Sequence, residues 1–225
     1  MMFLLAAALL AAQPATCPAD DNYDAHVCRA LNAKAANDSA AAAEAFERAA
    51  ATGKTSFDRD RALAAAGNLW IAANQPGKAA LDLDRALAGT DLKAEQRGEA
   101  LLDRARAAEA QNDLRTARSR VDDASASIGD DPFLWYFSAA LAIREGDRAK
   151  AQSSINRALS LAPNDPVILF EAGHVAQFAG NASEARRYWT QAQRLDAKGA
   201  IGKMAGEALT MLPPAEGPIV APQGR

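Results

Sequence analysis

Apolar residues recur along most of this chain at spacings of three and four, in paired short runs divided by polar breaks, which is the period of helices that bury one face. The breaks read "NDS", "NQPG", "QND", "EGD" and "AGN", turn-forming residues set between two helical patterns. Aligning the chain on them brings out columns. Ala42, Ala79, Ala117, Ala151 and Ala185 stand in one, with steps of 37, 38, 34 and 34. Ala49, Ala86, Ala124, Ala158 and Ala192 stand in another, with Phe46, Leu83, Val121, Ile155 and Trp189 between the two. A third small-residue column holds Ala30, Gly67, Ala105, Ala139 and Gly173, and a fourth holds His26, Leu63, Leu101, Trp135 and Leu169. Small residues where helices cross let the backbones approach, and a larger residue one turn away fills the space beside them. The pattern therefore predicts a series of antiparallel helix pairs. Asp38, Asp113 and Asp147 stand where second helices begin and can accept their first free amides.

These columns resemble the tetratricopeptide repeat, a helix-turn-helix of about 34 residues. The likeness covers 23–199, as repeats over 23–56, 60–93, 98–131, 132–165 and 166–199. It is clearest in the last two, with Trp135, Gly146, Ala151, Ala158 and Pro163 in one and Leu169, Gly173, Gly180, Ala185 and Ala192 in the other. The first two repeats are followed by three or four extra residues. The resemblance implies an all-α, right-handed α-solenoid whose first helices line a concave groove, the usual site for an extended peptide or a partner's helix. Beyond 199, Ile201, Met204, Ala205, Ala208 and Leu209 fall on one stripe, predicting a capping helix over 200–211. The Pro- and Gly-rich tail over 212–225 is expected to be extended or disordered, with a return of Ile219 and Val220 into the groove as the alternative.

The start of the chain, "MMFLLAAALLAAQPATC", has an apolar run from Phe3 to Ala12 followed by small residues, as a secretory signal over 1–16 requires. That run is too short to cross a bilayer. Cleavage after Ala12 and after Ala15 both fit, and either sends the chain to the periplasm or outside the cell. A short segment over 17–22 then precedes the first repeat. In an oxidising compartment Cys17 and Cys28, eleven positions apart, form an even pair whose disulfide closes a short loop, contributing about 2–3 kcal/mol on the chain-entropy estimate. A lipid anchor on Cys17 is the rival use.

Composition narrows the chemistry. With 49% apolar and 24% charged residues the chain can bury a core, and a net charge of −3 gives no positive field to hold nucleic acid. The densest basic stretch, with Arg115, Arg118 and Arg120, is flanked by Asp113, Asp122 and Asp123 and reads as a solvated, self-compensated helix face. "TGKT" at 52–55 ends like a phosphate-binding loop, but Arg48 stands where that loop needs glycine. His26 and His174 lack partners at metal-ligand spacings, so no metal or other cofactor is implied. Asp122 with Asp123, and Asp130 with Asp131, read as helix-end carboxylates, and the acceptor-like "NDS" and "NAS" as caps. No enzyme site is recognisable.

The stretch "PFLWYFSAALAIREG" carries four aromatics in five positions. On a helical wheel Trp135 joins Ala139 and Ala142 on the packing face, roughly 200 degrees from Phe133. Phe133, Phe137 and Arg144 lie opposite, with Tyr136 beside them. The resemblance places that second face in the groove, together with Phe170, Glu171, His174, Gln177 and Phe178 of the fifth repeat, Arg106 and Glu109 of the third, and Asn68 of the second. Aromatics clustered with Arg and His have the make-up of a binding hot spot. The competing reading has neighbouring helices covering Tyr136 and Phe137. Some tetratricopeptide proteins grip a carboxylate with Lys, Asn and Arg. Here those columns hold Cys28, Asp103, Phe133 and Phe137, and only Asn68 agrees, so a carboxylate clamp is not expected. The function expected is a non-catalytic envelope scaffold for a protein or peptide with apolar or aromatic anchors, with a homo-oligomer filling its own groove as the alternative and an enzyme with an unrecognised site as the remote one.

Overall fold

The computed structural model describes residues 16–213, and the bulk of the expected signal and tail lies outside them. The chain divides into two compact units, the first ending at Lys93 and the second starting at Ala94. Every regular element among the described residues is an α-helix. The first unit holds α1 (Tyr23–Ala35), α2 (Ser39–Thr52), α3 (Ser56–Ala72) and α4 (Pro76–Ala88). The second holds α5 (Ala94–Ala110), α6 (Leu114–Ile128), α7 (Pro132–Glu145), α8 (Arg148–Leu161), α9 (Pro166–Phe178), α10 (Ala182–Leu195) and α11 (Ala200–Met211).

Each helix packs on the next within its unit, and α7 also packs on α9. The small-residue columns explain why. All ten alanines of the two second-helix columns are fully buried, and of the large residues between them only Phe46 is left half-buried. Glycine is required at two crossings. A Cβ on Gly67 would lie 2.4 Å from Leu83 Cγ, and one on Gly173 would lie 2.1 Å from Trp189 Nε1. By contrast Gly77, in the first turn of α4, has nothing near its Cβ position. Gly77→Ala is expected to raise stability by about 0.5–1 kcal/mol, read as a higher urea midpoint, because it only removes freedom from the unfolded chain.

The five turns between paired helices are built alike. Asn37, Asn74, Asn112, Gly146 and Gly180 take left-handed φ values of 59, 55, 61, 76 and 83°. The next residue's amide reaches back to the carbonyl five positions earlier, as in Asp38 to Ala33 at 2.9 Å and Asn181 to Ala176 at 2.8 Å. Asparagine and glycine are the residues that tolerate this conformation, which closes the end of each first helix. Asp38, Asp113, Asp147 and Asn181 then cap the second helices through their side chains, while α4 starts on Pro76 with no side-chain cap.

Three details differ from the sequence pattern. The extra residues after the first two repeats are not linkers, for α3 and α5 start four residues before the expected 60 and 98 and run to 17 residues each. At α3 the cause is a capping box, Thr55 accepting from the Asp58 amide at 3.0 Å and Asp58 from the Thr55 amide at 3.3 Å. Next, Arg118 is not solvated: its guanidinium binds both oxygens of Glu145 and the Oγ and carbonyl of Ser138, tying α6 to α7, with its side chain only 15% exposed. Lastly, Trp135 is half-buried against the core of α7, α8 and α9, its indole donating to the Gly129 carbonyl, while Leu134, Ser138 and Leu141 lie deeper.

At the start of the described chain a disulfide joins Cys17 to Cys28 with the Cα atoms 5.6 Å apart, holding 17–22 against α1. Arg29 adds bonds to the carbonyls of Pro18 and Asp20. At the other end α11 packs on α10 and α9, with Ala205 and Leu212 closing a cluster that contains Leu169, Ala185, Trp189 and Ala192.

Candidate partner-binding face

Of the residues expected to line a groove, Asn68 is exposed on α3 of the first unit. The others belong to the second unit, on its first helices α5, α7 and α9. Capping fixes where those side chains point. Asp131 and Asp165 accept from the amides of Phe133 and Val167, each at 2.8 Å, and the following prolines start α7 and α9 in register.

Phe133 is half exposed and meets the Tyr136 ring edge-on, with centroids 5.8 Å apart. Tyr136 itself is half-buried against the core shared by α7 and α9. Its hydroxyl titrates above the ordinary tyrosine range, first because it is desolvated, then because Glu171 is near, with Arg106 opposing. Phe137 is also half-buried. The face is thus less open than the wheel suggests: Phe133 stands out, and the two rings after it are partly covered.

On α9, Phe170 and His174 meet edge-on at 4.5 Å, and both lie beside Trp189. The Trp189 indole N–H is satisfied by the Phe170 carbonyl at 2.9 Å. His174 Nδ1 lies 3.3 Å from Glu171 Oε2, a carboxylate only 7% exposed. Gln177 is exposed, and Phe178 packs on the α7–α9 core with the Arg148 guanidinium 5.5 Å from its ring centre. The arginines are occupied. Arg144 bonds to the carboxylate and carbonyl of Glu109 and to Asn112, and Arg106 bonds to Asp103 at 2.9 Å. Arg144 thereby braces α7 against α5, while the Arg106 pair stays within α5.

The first unit contains a pair of acids that the sequence pattern did not single out. Asp82 of α4, 2% exposed, meets Glu47 of α2, and Trp70 of α3 donates its indole N–H to Glu47 Oε1 at 2.8 Å. Burial foremost, then a hydrogen bond to Glu47 and its charge, push Asp82 up to about 6. Arg85, 3.4 Å away, only partly offsets this. One signal was available: Asp82 sits in the stripe Ala79, Leu83, Ala86, where an apolar residue belongs. Asp60, fully buried on the stripe with Leu63 and Gly67, follows the same rule. Closed off from solvent, Asp82 cannot reach a substrate as a general acid. No cluster of three or more metal-ligating groups occurs among the described residues, and none of their helices is long and apolar enough to cross a membrane.

Paired helices, small-residue crossings and left-handed turns at a fixed place define the class: the fold is that of a tetratricopeptide-repeat protein. Solved structures agree. The chain is similar to PilW, a widely conserved type IV pilus biogenesis factor, with a TM-score of 0.69 and 19% identity over 82% of each chain. It is similar to a thermophilic tetratricopeptide protein of Thermus thermophilus, with a TM-score of 0.64 and 20% identity over 84% of this chain and 100% of that one. YrrB, a tetratricopeptide protein with an unusual peptide-binding site, gives 0.59 and 15% over 83% and 93%. No family profile and no curated protein sequence matches the chain.

Proposed function

We propose that the protein is a non-catalytic docking scaffold of the cell envelope, holding an extended peptide or a partner's helix on the face of α5, α7 and α9. The observation that carries this reading is Phe133, a half-exposed ring edge-on to the partly covered Tyr136 on α7, with the partly covered Phe170 and Phe178 on α9, the next first helix. Large rings held by a packed scaffold bury area on binding at little entropic cost. The tetratricopeptide fold, which serves protein recognition, supports it. The apolar run from Phe3 to Ala12 and the Cys17–Cys28 disulfide support an exported location.

The test is selection of displayed random 12-residue peptides on the purified chain. Recovered sequences are expected to carry apolar or aromatic anchors. Phe133→Asp, which removes a ring from the surface, is expected to leave the melting temperature within a few degrees and to weaken the recovered peptides at least tenfold. Recovery of no binding peptide, or binding untouched by Phe133→Asp, overturns the proposal. Light scattering is expected to show a monomer. A dimer that Phe133→Asp dissociates would mean that the face binds its twin instead.

A further inference from the structure

We propose that the partner segment on this face carries a lysine or arginine side chain that pairs with Glu171, an inference that rests on the docking role above and specifies its chemistry. Glu171 is the anomaly of the face. Its side chain is 9% exposed, it faces the His174 imidazole, and its charge is felt at the Tyr136 hydroxyl of α7. Its hydrogen bond is to His174 Nδ1 at 3.3 Å, a long one that the histidine donates only in the Nδ1–H tautomer. An acidic side chain this covered, with one long bond to a histidine, has room for a stronger donor than the protein itself supplies.

The arginines of this face are committed elsewhere. Arg106 is bonded to Asp103, Arg144 to Glu109 and Asn112, and Arg148 lies over the Phe178 ring. Glu171 is left as an acid that no arginine pairs, beside His174, whose ring meets Phe170 edge-on, and within electrostatic reach of Tyr136. That combination suits the end of a long basic side chain. Its methylenes can lie on the rings while the charged head reaches the carboxylate, and aromatic faces favour a cation in themselves. A carboxylate or phosphate in the same place would meet Glu171 as a like charge.

The peptides recovered in the selection above are the probe, assayed at pH 8, above the ordinary titration range of imidazole. Their sequences are expected to share one Lys or Arg among the apolar anchors. Replacing that residue in the best peptide with norleucine is expected to weaken binding to the wild-type chain about 10- to 100-fold, as for a charged hydrogen bond. The same replacement is expected to change binding to Glu171→Gln less than threefold, since the glutamine keeps the shape and loses the charge. Binding peptides that lack a shared basic residue, or a norleucine effect equal in both proteins, overturn this inference and leave the docking role standing. If no peptide binds at all, both fall together.

Discussion

Gly173→Ala is expected to lower the stability of the second unit by about 1–3 kcal/mol, seen as a melting temperature reduced by roughly 4–10 °C. The substitution adds one methyl group to a helix that favours alanine, so local propensity predicts the opposite sign. Packing decides the outcome. The new Cβ would sit 2.1 Å from Trp189 Nε1 and 2.3 Å from its Cδ1. The indole cannot swing aside cheaply, because its N–H is bonded to the Phe170 carbonyl and its ring is 1% exposed. Relief must come from spreading α9 and α10, which opens the cluster that α11 closes. Phe170 and His174 lean on the same indole, so peptide binding should weaken along with stability. A melting temperature unchanged or raised would show that the crossing is not as tight as described.

Asp82→Asn is expected to have the reverse effect, and only above a certain pH. Asp82 is raised from an ordinary 3.8 to about 6, so the folded chain holds its proton more tightly than the unfolded chain does. Between roughly pH 4 and 6 the folded state therefore carries the extra proton, and stability falls as pH rises through that window. Well above pH 6 the buried charge is fully in place and costs about 1–3 kcal/mol. The groups facing it are Glu47 from α2, Trp70 from α3 and Arg85 on its own helix, with the Lys78 ammonium over the Trp70 ring. Asparagine has no charge to bury and can donate to Glu47. The variant should gain about 1–3 kcal/mol over wild type at pH 8 and only about a third of that at pH 4.5, measured by urea denaturation. A gain that is the same at both values, or a loss at pH 8, would remove Asp82 as the source of the pH dependence.

The sequence alone carries the repeat in unusual detail because its information is local. A column of alanines marks each crossing, and Asn or Gly before an Asp or Asn marks four of the five turns, all within a few residues of one another. What the pattern misses depends on residues brought together from separate repeats. Arg118 looks solvated beside Asp113, Asp122 and Asp123, yet its partners are Glu145 and Ser138, a whole helix further on. Tyr136 and Phe137 look free on a single-helix wheel, which has no place for the helix alongside. The burial of Glu171 escapes the wheel for the same reason. Asp82 was within reach, since a polar residue on an apolar stripe is visible without coordinates, but its meeting with Glu47 was not.

The matched starts of α7 and α9 have a consequence for how such a chain can change in length. Each opens with Asp-Pro, and in each the aspartate accepts from the amide of the residue after the proline at 2.8 Å. Whatever arrives at Asp131 therefore finds the same seat as whatever arrives at Asp165. A gene that copied the stretch 132–165 in tandem would join like end to like end, needing no new loop and no altered cap. The extra module would add one more first helix to the face proposed here for docking, so that face could lengthen by whole steps without redesign of the parts already there.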